Sequence, residues 1–305
     1  TVVPERDFVA QIESEFQRSW IASLIAVALA VTAGVLAARW LVSPLVKLVT
    51  AVRRIGQGDL ETRVQIHHAP EYAKLANEIN SMTEGLQDRM RMRESLSLAM
   101  EVQQNLLPSE EPVIKRLDIA GHSTYCDETG GDYYDFLDVS DAEEDTAVIA
   151  LGDVMGHGVA AAMLMATARG ILRSRCAVPG SLADFLDHVN TMLVPDTRGQ
   201  RFMTMLLITV SPARDELRWA SAGHGPPIIY DANNDKFPEL DGGGLPLGIM
   251  EEEQYEEYLQ PNISSGHLVL AATDGLWETM GEDGTEFGME RVRQLLRENA
   301  GRPAA

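Results

Sequence analysis

Three aspartates stand at the ends of apolar runs, each beside glycine. Asp132 lies in Gly130-Gly131-Asp132-Tyr133-Tyr134-Asp135 and Asp153 in Leu151-Gly152-Asp153-Val154-Met155-Gly156-His157-Gly158. Asp274 lies in Thr273-Asp274-Gly275-Leu276-Trp277. A carboxylate at the rim of an apolar core is costly unless it is paired or binds a metal. A lone aspartate of this kind reads equally well as a turn residue or helix cap, but here the pattern occurs three times. If the three converge, they cannot all stay ionised without a cation. Hard oxygen donors of this type suit Mg²⁺ or Mn²⁺ rather than Zn²⁺.

The elements that must position these residues follow from local pattern. Ala147–Leu151 is short, apolar and partly β-branched, which predicts a buried strand ending near Asp153. The glycines after it let backbone approach a ligand closely, and the Ala- and Met-rich stretch from Val159 predicts a helix. A second buried strand is predicted over His267–Ala272, leading into Asp274. Further strands are expected at 117–126, 135–139, 146–153, 202–210, 217–223 and 226–230. Helices are expected at 181–194, with Ser181 as N-cap, and at Met289–Asn299. Glu251–Glu257 reads as a solvated acidic face and Asp135 as a surface turn residue. Strands in runs with helices grouped apart predict an α+β fold.

Charge divides the chain of 305 residues. Residues 1–108 carry 11 Lys and Arg against 12 Asp and Glu, whereas the remainder carries 14 against 34. So acidic a C-terminal part argues against nucleic acid as a partner. Cys126 and Cys176 have no ligand spacing, so neither a disulfide framework nor a zinc site is indicated, as suits a reducing cytoplasm.

The N-terminal third is organised differently. Trp20–Ala38 holds 19 residues without a charge, bracketed by Trp20 and Trp40. That length spans a bilayer core, and tryptophans anchor at its interfaces. Glu13 and Glu15 precede the segment, while Arg39, Lys47, Arg53 and Arg54 follow it. The positive-inside rule then puts everything after Arg39 in the cytoplasm, giving an inner-membrane protein with a single pass within this stretch of chain. Ser43-Pro44 reads as a helix start, followed by Leu45, Leu48, Val52 and Ile55. Gly56–Leu60 breaks that helix, and Glu71 opens another carrying Leu75, Ile79, Met82 and Leu86. Two heptad helices joined by a Gly-Asp-Leu connector resemble a HAMP signalling module. Such helices cannot bury their seams alone, which implies a homodimeric four-helix bundle. After Leu86 the seam slips to Met92, Leu96 and Ala99, either a stutter that alters winding or a solvated linker, and Pro108 closes the helix.

Taken in order, "GGDYYD", "GDVMGHG", "ASAGHGPP", "LPLG" and "ATDGLWE" resemble the metal-dependent protein phosphatases of the PPM type. Within that group the sequence is most similar to the stage II sporulation protein E and sigma-factor-regulating branch, over 117–296. The resemblance implies a two-sheet β-sandwich flanked by helices. It implies that Asp132, Asp153, Asp274 and the main-chain carbonyl of Val154 hold two Mn²⁺ or Mg²⁺ ions. Such a pair activates water for in-line attack on a phosphoserine or phosphothreonine. His157 is the candidate catalytic histidine, although it lies four residues after Asp153, not two; a loop-ordering role is the alternative. His224 is expected to serve the turn it sits in. The implied substrate is a phosphorylated anti-sigma-factor antagonist.

The expected organisation is thus a sensor remnant at 1–18, a transmembrane helix at 19–40, a HAMP module at 41–94, a linker helix at 95–108 and a phosphatase domain at 109–305. The family closes with a strand bearing an Asp-Asp pair, absent here, so the domain is expected to be C-terminally truncated. Two rival readings remain open at the level of sequence. One is a non-catalytic phosphatase-like module that binds a partner. The other is a diguanylate cyclase, suggested by "GGDYYDF", in which Tyr133 stands where a cyclase needs an acidic residue.

Overall fold

The computed structural model describes residues 5–67, 70–124 and 130–304; Cys126 and part of the expected sensor remnant lie outside them. The chain forms two compact units, Thr1–Glu94 and Ser95–Ala305.

In the first unit, helix α1 runs over Glu5–Gly56 and helix α2 begins at Pro70 and ends at Gln104. Ser43-Pro44 does not start a helix, because α1 continues through Pro44. The missing N–H removes one hydrogen bond. Downstream packing holds the segment helical: Leu48, Ala51 and Ile55 bury against Val64, Ile66, Ala76 and Ile79. The second helix does start where expected, with Pro70 at its first position, where a missing donor costs nothing. The connector is held by side-chain amides. Asn80 donates to the Val64 carbonyl and accepts from its N–H, both at 2.9 Å, and Gln87 donates to the Leu60 carbonyl at 2.7 Å. Residues 18–43 of α1 are exposed along their whole length, and Arg18–Gly56, whose most apolar 18-residue window has a mean hydropathy of 2.4, is long and apolar enough to cross a membrane.

The second unit is layered. Strands β1 (Tyr133–Phe136), β2 (Ala147–Val154), β3 (Met203–Ser211), β4 (Glu216–Ala222) and β6 (Glu257–Pro261) form one antiparallel sheet in the order β1-β2-β3-β4-β6. Strands β5 (Ile228–Asp231) and β7 (His267–Leu270) form a second. Helices α3 (Val159–Arg175) and α4 (Leu182–Thr197) cover one face of the large sheet. Period-2 alternation explains how one sheet serves two cores. Val148, Ala150, Met203, Met205, Leu207, Ala220 and Ala222 face the helices. Their neighbours Ala147, Leu206, Ile208, Val210, Leu217 and Trp219 join Ile229 of the small sheet in a second core. The remaining helices are the short α5 (Gly275–Glu278) and α6 (Met289–Asn299). The α+β sandwich flanked by helices is therefore as expected.

Details differ from the reading of the sequence. No strand forms over 117–124, and β7 covers only four half-buried or exposed residues. Strand β6 was not anticipated. Its first residue, Glu257, is not a solvated acid: it accepts from Arg218 at 3.0 Å and from the Leu182 N–H at 2.9 Å. The next, Tyr258, stacks on Trp219 across the strand pair. Ser181 does cap α4, in a capping box completed by Asp184.

Candidate functional site

Register and pleat bring two of the three aspartates together. Tyr133 pairs with Gly152 and Tyr134 with Leu151, so continuing the ladder by one residue sets Asp132 opposite Asp153. Asp153 in turn pairs with Thr204 of β3. By alternation all three side chains leave the face of the sheet that looks toward the small sheet, not toward the helices. The third aspartate arrives from β7, four residues past its end, as the residue preceding α5, and its side chain makes no cap hydrogen bond. Glycine permits the close approach. A Cβ on Gly131 would sit 2.6 Å from the Val154 carbonyl oxygen. The turn beyond Asp153 needs positive φ at Gly156 and Gly158, 88° and 84°.

The electrostatics follow from this placement. Asp132 and Asp153 act directly on each other's titration, while Asp274 acts on both through its charge. Burial raises the pKa of Asp132, and repulsion from Asp274 adds to it. Asp153 is pushed up to about 7, by burial first and then by the charges of Asp132 and Asp274. Among the described residues no three His, Cys, Asp or Glu side chains are drawn close enough to cage an ion without moving. The set is an oxygen-only group of carboxylates, two of which have raised pKa values. Hard-oxygen chemistry of that kind fits Mg²⁺ or Mn²⁺.

The histidine that acts on Asp132 is His224. It lies between β4 and β5, where the chain passes from one sheet to the other, and burial lowers its pKa. His157 occupies the exposed turn between Asp153 and α3. The Thr273 hydroxyl acts on Asp132 in the opposite sense to burial and lowers its pKa. Upstream, Gln103 in the last turn of α2 is 3% exposed. Its amide donates to the Gly130 carbonyl at 2.6 Å and accepts from the Gly130 N–H at 3.3 Å, fixing the backbone two residues ahead of Asp132.

The stage II sporulation protein E (SpoIIE) family model matches residues 143–305, more than half of the chain. The chain belongs to this family. A HAMP domain model matches residues 36–88. Among curated relatives, phosphoserine phosphatase RsbU of Bacillus subtilis (strain 168) is 27% identical over 196 residues, covering 64% of this chain and 57% of the relative. Phosphoserine phosphatase RsbP of the same organism is 24% identical over 197 residues, covering 63% and 47%. The chain spans about half the length of these relatives. Among solved structures, the SiaA-PP2C domain of Pseudomonas aeruginosa superposes with a TM-score of 0.56 at 24% identity, covering 71% of this chain and 85% of that one.

One expectation is overturned within this family fold. Asp135 is not a surface turn residue but fully buried, on the helix-facing side of β1. Arg173 of α3 grips it with two bonds of 2.6 Å, the Tyr133 hydroxyl donates to it at 3.0 Å, and Arg169 lies at 3.6 Å. Sequence reasoning missed this cluster, and it also missed the contact of His224 with Thr204. The available signal was parity. Asp135 is three residues from Asp132 and must therefore face the other way, toward a helix that carries Arg169 and Arg173 one turn apart.

Proposed function

We propose that this chain is a metal-dependent phosphoserine/phosphothreonine protein phosphatase, anchored in a membrane and switched through its HAMP module. The observation that carries the reading is the placement of Asp132 opposite Asp153, with Asp274 near enough to raise the pKa of both through its charge. Membership of the SpoIIE family and two relatives named phosphoserine phosphatase support the same chemistry. Asp132, Asp153, Asp274 and the Val154 carbonyl would hold two divalent ions, Mn²⁺ or Mg²⁺. Bound there, the ions would supply Lewis-acid stabilisation of phosphoryl oxygens and acidify a water. The chain's own contribution is to orient: β1 and β2 fix two carboxylates, and the glycine-rich turn after Asp153 leaves backbone room for a phosphorylated side chain. His157, in that exposed turn, is the candidate proton donor to the departing serine or threonine oxygen. The substrate we infer is a phosphorylated anti-sigma-factor antagonist.

Helix α1 supports the anchoring, since residues 18–43 form an apolar stretch that no other described segment of the chain buries and that lipid would cover. The basic residues that follow favour a cytoplasmic catalytic part. In the HAMP region most of the seam is exposed in one protomer, Leu45 at 47%, Val52 at 45%, Leu75 at 46%, Met82 at 51% and Leu86 at 38%, which favours a homodimer. The test is hydrolysis of p-nitrophenyl phosphate and of a phosphoserine peptide by the whole chain in detergent. It is run with Mn²⁺ and with EDTA, beside Asp153→Ala. Activity that needs both Mn²⁺ and Asp153 is expected. Mn²⁺ binding without turnover would turn the reading to a non-catalytic partner-binding module.

A further inference from the structure

Two of the aspartates ride on the large sheet and the third on the exit of the small one, so something must hold the two sheets in register at this end. We propose that His224 is the positioning residue that does so: its imidazole bridges the strand opposite Asp153 to the segment that delivers Asp274. The proposal deepens the phosphatase reading and rests on it for its functional meaning.

The geometry has three anchors. The backbone of His224 is fixed by Ser221 of β4, whose hydroxyl donates to the His224 carbonyl at 2.5 Å and accepts from its N–H at 3.2 Å. On one side of the ring, Nδ1 lies 3.0 Å from the Thr204 hydroxyl. Thr204 is the β3 partner of Asp153. On the other side, Nε2 lies 3.1 Å from the carbonyl oxygen of Ala272, two residues ahead of Asp274. These contacts also assign the tautomer. A carbonyl can only accept, so Nε2 carries the proton and donates. In the neutral ring Nδ1 is then the acceptor, and the Thr204 hydroxyl donates to it. The Asp153 carbonyl, at 3.5 Å from the same hydroxyl, is too far to compete.

The arrangement explains why a histidine stands here. An imidazole is a rigid, flat spacer with one donor and one acceptor at opposite ends, so it sets the gap between Thr204 and Ala272 and hence between Asp153 and Asp274. An apolar side chain would fill the space but leave the Ala272 carbonyl and the Thr204 hydroxyl without partners. Groups that orient the donors of a metal site typically alter its affinity about 10- to 100-fold when removed.

The experiment uses the whole chain in detergent and measures Mn²⁺ affinity by calorimetry, with turnover followed separately at saturating Mn²⁺. His224→Leu is expected to weaken Mn²⁺ binding about 10- to 100-fold, with a smaller change in kcat once the metal saturates. His224→Gln, whose amide can donate to Ala272 and accept from Thr204, should recover most of the affinity. If His224→Leu does not fold, Thr204→Val removes one anchor only and should still weaken Mn²⁺. Histidine-selective ¹⁵N spectra of the metal-free chain supply a readout independent of activity. They should show His224 as the Nε2–H tautomer, with its Nδ1 resonance displaced in Thr204→Val. Wild-type Mn²⁺ affinity in both His224→Leu and Thr204→Val would overturn the proposal, as would an Nδ1–H tautomer. No Mn²⁺ binding by the wild type would instead overturn the phosphatase reading, and the nitrogen spectra would then decide the bridge by themselves.

Discussion

Asp135 and Asp153 sit on neighbouring strands of one sheet, and the fold treats them in opposite ways. Asp135, on the helix face, is completely buried and is met by the Arg173 guanidinium and the Tyr133 hydroxyl, with Arg169 close by. Asp153, on the other face, meets two more carboxylates, which with burial push its pKa up to about 7. The first is a structural cluster in which the carboxylate charge is answered within the chain by guanidinium groups. The second is left in deficit of positive charge. A buried carboxylate whose compensation is built in holds the fold together, and one whose compensation is withheld is free to recruit a cation from solution.

Removing each carboxylate should pull stability and activity apart. Asp153→Asn should lower Mn²⁺-dependent turnover by more than the ~100-fold that orienting partners of a metal site cost. It should also raise the melting temperature of the metal-free chain, because it deletes a repulsive charge; a fall would undo the contrast. Asp135→Ala should behave in reverse. It leaves Arg169 and Arg173 without their acid, which costs on the order of 3 kcal/mol in chemical denaturation, and any loss of turnover should follow the loss of folded protein. Gly131→Ala sharpens the comparison at the seam between the two environments. Its methyl group would collide with the Val154 carbonyl, for a cost of about 1–3 kcal/mol, and Mn²⁺ titration should show weakened binding.

The smallest effect belongs to a carboxylate with a modest local partner. Asp184 accepts from the Ser181 hydroxyl and N–H, which holds its pKa below the usual value. Its contribution is therefore present above the unfolded carboxylate range and lost as pH falls through the depressed folded value. Ser181→Ala should cost about 1 kcal/mol. Denaturation midpoints measured down to acid pH should show the wild type converging on the variant; a constant gap would show that Asp184 has no part in it.

What could be read from the chain alone followed the strength of local signals. The β2 and β3 strands, the Ser181 cap and Met289–Asn299 were legible because apolar period and capping chemistry are encoded within a few residues. The three aspartates were legible because glycine and apolar runs flank each of them. Strand β6 was not, since Glu257–Pro261 has no apolar alternation and is held by Arg218 and Trp219 from another strand. The ion cluster on Asp135 and the link from His224 to Thr204 were hidden for the same reason. Each is a partnership between residues at least 20 positions apart, decided by sheet register and invisible to spacing.

The pleat of β1 has a consequence that is genetic, not energetic. Asp132 and Asp135 are three residues apart, so the strand sends one to each face. Substitutions here are tolerated or not by volume and charge, one position at a time. An insertion or deletion of a single codon between them would bring both onto the same face at once. It would strand the arginines of α3 or present the cleft with a fourth acid. Along this strand, length is under tighter constraint than composition.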